Sequence, residues 1–223
     1  MIEASTLKFL KKLKNNNNKP WFDENRGEYE KAKANFLEFT KELIKGLEKV
    51  DQNIALENMD AKKCISRINR DVRFSKNKDP YKTNFFALIK LGGKKSNKAG
   101  YYFQLEPGNQ SFTGGGAYMP MPADLQLLRQ EIDYGFEEWK MIVEAKSFKK
   151  IYPEGVQSPE TLVRTPKGYE ENNPAIDYLK MKGFYTLNKY TDDDLQSKEC
   201  IKKILLDFAT AKPMNDFLNK ALE

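Results

Sequence analysis

The chain has no histidine and only two cysteines, and these scarcities exclude more chemistry than its averages do. Without histidine there is no Ser-His-Asp or Cys-His nucleophile system, no His-ligated metal centre and no imidazole base. Cys64 and Cys200 lie far apart in no CxxC spacing, which removes a zinc site and a disulfide framework and suits reduced thiols. Long apolar runs are also missing. No stretch nears the roughly 20 apolar residues that span a bilayer. Mean hydropathy is −0.73. The N-terminus carries Glu3 early and has no apolar run of a secretory signal, so the expectation is a soluble cytoplasmic protein with no membrane attachment.

What is present suffices for a folded core. The 223 residues are 39% hydrophobic and 12% aromatic, too apolar for a disordered chain and long enough to need no staples. Leu7, Leu10 and Leu13 suggest a short amphipathic helix stopped by Asn15–Asn18. Tyr29, Ala32, Phe36, Phe39, Leu43, Leu47 and Val50 recur at steps of three and four among charged residues, which predicts a long helix with one buried stripe. The runs Phe85–Leu91 and Tyr101–Leu105, bounded by glycines and proline, read as strands, and the short polar connection between them suits an antiparallel pair. Gln110 to Thr113 reads as a third strand ending at Gly114-Gly115-Gly116, and Ala61 to Arg67 as a candidate strand. Helical periods return after Pro122, around Leu125, Leu128 and Ile132, then Phe136, Trp139 and Val143. Leu162-Val163 is a candidate strand core, Ala175–Lys180 a short helix and Phe184–Leu187 a strand. Thr191 is placed to cap a helix carrying Ile201, Leu205 and Phe208, with Pro213 separating a last short helix. Helices, then clustered strands, then helices predict an α+β fold: a mostly antiparallel sheet from the central segment, packed by N- and C-terminal helices. With no repeat and no linker, residues 1–223 read as a single domain.

Charge is unevenly placed. Between Lys62 and Lys98 stand twelve bases and two acids, Asp71 and Asp79, a local excess of +10 in a chain whose net charge is +6. Within it, Arg67, Arg70 and Arg73 recur every third residue, followed by Lys76, Tyr81 and Lys82. Planar guanidinium forks match carboxylate and phosphate oxygens, Tyr81 offers a ring to a base or sugar, and Asp79-Pro80 would turn the lysines round one loop. The same residues also suit a solvated basic edge whose arginines pair with Asp71 and Asp79. Gly114, Gly115 and Gly116 are either a flexible turn or a nest of backbone donors for an anion. No GKS or GKT follows them and GxGxxG is not matched, so no nucleotide motif and no cofactor is expected. Asp192-Asp193-Asp194 could hold a divalent cation through oxygen, but a helix start explains the acids more cheaply and no metal site is expected.

Several motifs together resemble a bacterial and fungal family of unknown function, DUF2461. They are Trp21-Phe22-Asp23-Glu24-Asn25-Arg26 with Tyr29-Glu30, Arg67-Ile68-Asn69-Arg70-Asp71-Val72-Arg73-Phe74-Ser75, and Pro80-Tyr81-Lys82-Thr83-Asn84-Phe85. Tyr101-Tyr102, Glu106-Pro107-Gly108 and Gly114-Gly115-Gly116 follow, with Tyr118, Pro120, Arg129, Arg164, Pro166 to Tyr169, Asn173-Pro174-Ala175 and Phe184. The resemblance covers nearly the whole chain and implies no established activity, cofactor or substrate. Relatives often carry histidine before the proline here numbered Pro174, where this chain has Asn173. A reaction dependent on that histidine would be impaired here or use another group.

Three functions fit the pattern. One is binding of a phosphorylated or carboxylated small molecule, a nucleotide or a nucleic-acid backbone by Arg67, Arg70, Arg73, Lys76, Tyr81 and Lys82, with backbone donors from Gly114 to Gly116. A second is a histidine-independent enzyme using that cluster as a clamp, with Tyr81, Lys82, Glu106 or Asp71 moving protons. A third is a docking face for an acidic partner, including Lys94, Lys95 and Lys98. The oligomeric state is left open by the sequence.

Overall fold

The computed structural model describes residues 1–223. Four strands, β1 (Phe85–Ile89), β2 (Gly100–Leu105), β3 (Ser111–Ala117) and β4 (Phe184–Tyr190), form an antiparallel sheet in the order β1-β2-β3-β4. Helices precede and follow its strands in the chain, so the fold is α+β as the element pattern predicts. Contacts cluster in two compact units. One comprises Met1–Ile89, Tyr102–Thr113 and Lys189–Leu205, and the other Lys90–Tyr101, Gly114–Asn188 and Leu206–Glu223.

In the first unit, α1 (Ala4–Asn15) buries Leu7, Phe9, Leu10 and Leu13, and stops where the asparagines begin. Asn18 then caps α2 (Lys19–Glu24) by accepting from the Trp21 N–H. The long stripe forms α3 (Arg26–Leu47), which ends before Val50. Its Phe36 packs on Phe85 with ring centroids 5.3 Å apart, and Phe39 on Phe103 at 5.2 Å. Alternation within the strands makes this possible: Phe85, Ala87 and Ile89 of β1 and Phe103 and Leu105 of β2 face this core. Two short helices follow α3, namely α4 (Gln52–Leu56) and α5 (Ala61–Cys64). The second corrects the strand expected at Ala61–Arg67. Asp60 accepts from the Lys62 N–H and starts a helical turn, and only Ile65 pairs with Ala87 beside β1.

The second unit contains α6 (Pro122–Tyr134), α7 (Phe136–Val143), α8 (Lys146–Ile151) and α9 (Ile176–Leu179). Trp139 is fully buried there among Tyr178, Phe184 and Phe217. Leu162-Val163 forms no strand: Thr161 makes one isolated bridge to Met181, and Val163 is 94% exposed. Two further expectations need correction. Strand β3 does not end at Thr113 but continues through the three glycines. Pro213 does not divide the C-terminal helix, since α11 (Cys200–Lys220) is continuous through it. An internal proline costs roughly 3 kcal/mol. Pro213 faces solvent, however, while Phe208, Ala211, Met214, Phe217 and Leu218 are fully buried on the other side, so burial outweighs the lost hydrogen bond.

Thr191 does cap a helix, but the short α10 (Asp192–Gln196) and not the expected one: α10 ends before Ser197, and Ile201, Leu205 and Phe208 belong to the separate α11. Thr191 and Asp194 form a reciprocal capping box, and Asp194 also holds Lys203 at 2.8 Å. Asp192 instead accepts from the Gly108 and Asn109 N–H groups at 2.9 and 3.1 Å, fixing the β2–β3 turn. Hydrogen bonds from Lys203 and the Thr191 hydroxyl depress the Asp194 carboxyl to about 2. The unfolded carboxyl lies near 3.9, roughly, so between these values the unfolded chain binds the extra proton and stability rises with pH. Urea midpoints should therefore decline as pH falls from about 4 towards 2, and Asp194→Asn should flatten part of that slope. The effect is modest because Asp194 is only partly buried, its side chain 33% exposed. An unaltered acid slope in the variant would remove this carboxylate from the account.

Candidate functional site

The basic segment is an arm that leaves the edge of β1 at Ser66 and then pairs with Pro80 to Lys82, the chain entering β1. Ser66 N–H donates to Phe86 O at 2.9 Å, Lys82 N–H to Ile68 O at 2.8 Å, and Arg70 N–H to Pro80 O at 2.9 Å. Isolated antiparallel bridges join Ile65 to Ala87 and Asn69 to Tyr81. Asn17 clamps the returning chain: its Nδ2 donates to Tyr81 O at 2.9 Å and its Oδ1 accepts Tyr81 N–H at 3.1 Å.

Several predicted ligand groups shape this arm. Lys82 Nζ donates to the carbonyls of Arg67 and Asn69 at 2.6 and 2.8 Å. Arg70 reaches the Asp79 carbonyl at 3.2 Å and the Ser75 hydroxyl at 3.4 Å, and Lys78 the Val72 carbonyl at 3.0 Å. Tyr81 is buried, its ring stacked on Phe22 with centroids 4.0 Å apart, so it presents no open face for a base or sugar. The three arginines thus have three different surroundings. Arg73 forms a two-point pair with Asp71, at 2.9 Å from Nε and 2.6 Å from Nη2. The Arg73 hydrogen bonds hold the Asp71 carboxyl below its usual range, and the charge of Arg67 adds to this. Arg67 and Lys76 are exposed and have no side-chain hydrogen bond or ion pair within the protein. Between them, Phe74 is 97% exposed, with the Arg73 guanidinium 5.9 Å from its ring centre.

The glycines belong to the other compact unit and are built for close packing. A Cβ on Gly114 would come within 2.7 Å of Thr186 O, and one on Gly115 within 2.6 Å of Ala211 Cβ. Their strand conformation satisfies the local need for glycine without a ligand. In the same unit, Arg129 donates to Met181 O at 3.0 Å while its Nε is buried with no partner. Burial lowers the Arg129 guanidinium's pKa, and burial beside Asp133 raises that of the Tyr169 hydroxyl. Asn173 donates to Asp133 Oδ1 at 2.6 Å and accepts from Ala175 N–H at 2.8 Å, which sets the turn before α9. Asn173 thus has a structural partner on each side.

The β-strand alternation leaves a second feature that a count of charges misses. Phe86, Tyr102 and Phe112 point away from the buried core, one from each of β1, β2 and β3. They form a half-buried row with centroids 5.4 and 5.5 Å apart. Beside it runs a polar chain: Tyr102 OH donates to Gln104 Oε1 at 2.9 Å, and Gln104 Nε2 to Glu106 Oε2 at 2.8 Å. Asn84 Nδ2 approaches the same Glu106 oxygen at 3.5 Å. Ser66 ties the basic arm to this row, because its Oγ accepts Phe86 N–H at 3.4 Å. The sequence signal was the aromatic alternation of Phe85-Phe86 and Tyr101-Tyr102-Phe103, in which every second ring must face outward.

Of the four proton carriers suggested by sequence, Tyr81 is buried, Lys82 is bound to carbonyls and Asp71 is paired with Arg73. Glu106 remains on the half-buried sheet face, with Oε2 engaged and Oε1 without a protein partner. Cys200 is buried, its thiol pushed up to about 12, so it supplies no thiolate near neutral pH. No group of His, Cys, Asp and Glu side chains could hold a metal ion. No helix is long and apolar enough to cross a membrane.

No curated protein and no solved structure matches the chain. The sequence model of one family, described as conserved hypothetical protein (DUF2461), matches residues 5–217, and the chain belongs to that family.

Proposed function

We propose that the protein binds an anionic ligand, phosphorylated or carboxylated as in a nucleotide or a nucleic-acid backbone, along the arm from Lys62 to Lys82. The observation that supports this is the incomplete neutralisation of the arm. Its ion pair, Arg73 with Asp71, is open to solvent, with side chains 76% and 61% exposed. Lys62, Lys63, Arg67 and Lys76 are exposed and unpaired. Like charges held this close repel one another, and an approaching polyanion relieves that repulsion while releasing its counterions. Lys82, Arg70 and Lys78 are engaged with carbonyls of the loop itself, so ligand contacts fall to Arg67, Arg73 and Lys76.

The test is titration with phosphorylated probes over a range of salt. Arg67→Ala/Lys76→Ala should weaken binding of a labelled single-stranded oligonucleotide roughly tenfold at moderate ionic strength and lower the log–log salt slope by about 1.4, two contacts' worth. Asp71→Asn should act in the opposite direction, since it releases Arg73. Equal affinities for wild type and both variants would show the arm to be a solvated edge.

A further inference from the structure

The arm accounts for phosphate but not for the neighbouring aromatic row. We infer that the ligand is a single-stranded nucleic acid whose bases lie on Phe86, Tyr102 and Phe112 while its phosphates follow the arm. The inference rests on the anion-binding reading of that arm.

Three observations carry it. The first is position. Rings on three successive strands form one row with centroids 5.4 and 5.5 Å apart, and Phe86 is hydrogen-bonded directly to Ser66, the residue before Arg67. An antiparallel sheet presenting outward aromatic side chains is a physical platform for unstacked bases, because each base has a π face and each ring accepts it regardless of sequence. The second is exposure. Packing would complete the burial of three large rings, whereas these stay half-buried on a face where their neighbours are Gln104 and Glu106. The third is hydrogen-bonding capacity. Gln104, itself held by the Tyr102 hydroxyl, and Asn84 fix the Glu106 carboxylate by its Oε2, leaving Oε1 to accept from a base amino group such as cytosine N4. One carboxylate facing bases is compatible with an anionic strand when cations follow the phosphates.

Extent separates a strand from a mononucleotide. A single nucleotide would use one ring and one or two cations. The molecule offers three rings and, on the arm, at least Lys62, Lys63, Arg67 and Lys76. A duplex hides its base faces and cannot use the row.

The experiment compares three labelled 12-mers with wild-type protein by fluorescence anisotropy at low salt: oligocytidylate, a strand of abasic sites with the same phosphates, and a duplex containing the cytidine strand. Oligocytidylate should bind at least tenfold tighter than either control. Phe112→Leu and Phe86→Leu, which keep apolar volume and lose the ring, should each cost roughly fivefold or more on oligocytidylate and nothing on the abasic strand. Abasic or duplex probes binding as tightly as oligocytidylate would overturn the inference while leaving the arm's anion binding intact. CMP at micromolar concentration displacing the strand completely would also overturn it, reducing the site to a mononucleotide pocket. Failure of every probe to bind, abasic strand included, would remove the anion-binding reading itself. The comparison among probes uses unmodified protein, so a variant that fails to fold does not spoil it.

Discussion

Gly116→Ala should lower the unfolding free energy by about 3–5 kcal/mol, among the largest effects expected of a single methyl group. Two costs combine. Gly116 has φ +122°, a region that residues with a Cβ rarely enter. An added Cβ would also stand 2.1 Å from Phe184 O and 2.8 Å from Tyr185 Cα. Both neighbours are backbone of β4, so no side chain can rotate away to make room. Gly93→Ala is the matched control. Gly93 also has positive φ, +74°, but nothing lies within 4 Å of the place its methyl group would occupy, so only the conformational cost of about 1 kcal/mol remains. Urea unfolding of the two variants measures the difference directly. Equal losses would mean that β3 and β4 can separate cheaply, and the close approach would cease to explain the glycine.

The same experiment separates two meanings of Gly114-Gly115-Gly116. Backbone donors in an anion nest would make alanine variants lose phosphate affinity while keeping stability. Strand packing predicts the reverse order of effects, with Gly114→Ala and Gly115→Ala destabilised through Thr186 O and Ala211 Cβ. The geometry favours packing for all three positions.

Why the sequence misleads at this tract is physical. Glycine is poor in strands on propensity alone, and three in succession read as a turn. What reverses the reading is a neighbour some 70 residues later in the chain, the backbone of Phe184 to Thr186, which no local pattern announces. Pro213 is the same lesson in a helix: the local penalty is legible, but the fully buried face running from Phe208 to Leu218 outweighs it only once the helix is packed. By contrast, α3 is readable because its information is periodic and internal to one helix, and the helix cap at Thr191 because its signal lies within four successive residues. The candidate site divides likewise. The composition of the basic arm shows where charge accumulates, yet the fate of each cation depends on loop geometry. Lys82 and Arg70 turn to carbonyls, and Tyr81 disappears beneath Phe22 under the clamp of Asn17, a residue 64 positions away. The outward row of Phe86, Tyr102 and Phe112 is latent in strand alternation and needs only the register between strands to align it.

Trp139→Ala should cost about 3–5 kcal/mol, by transfer of a large apolar side chain and the cavity left among Phe184, Phe217 and Tyr178. It also tests whether the two compact units unfold together, as the single-domain reading of the chain proposes. The molecule has two tryptophans, Trp21 in the first unit and Trp139 in the second, so the variant leaves Trp21 as a reporter on the other unit. The division between units does not fall at a linker. It cuts β2 between Tyr101 and Tyr102 and β3 between Thr113 and Gly114, inside continuous strands, and cuts α11 between Leu205 and Leu206. A strand cannot lose half its length to unfolding without exposing backbone in the other half, so the loss at Trp139 should propagate. Trp21 fluorescence and far-UV circular dichroism should therefore shift together to lower urea in Trp139→Ala, with a smaller common shift in Trp139→Phe. A Trp21 transition that stays at its wild-type midpoint while circular dichroism moves would show two independent folding units, and the fold would then have to be treated as two domains sharing strands.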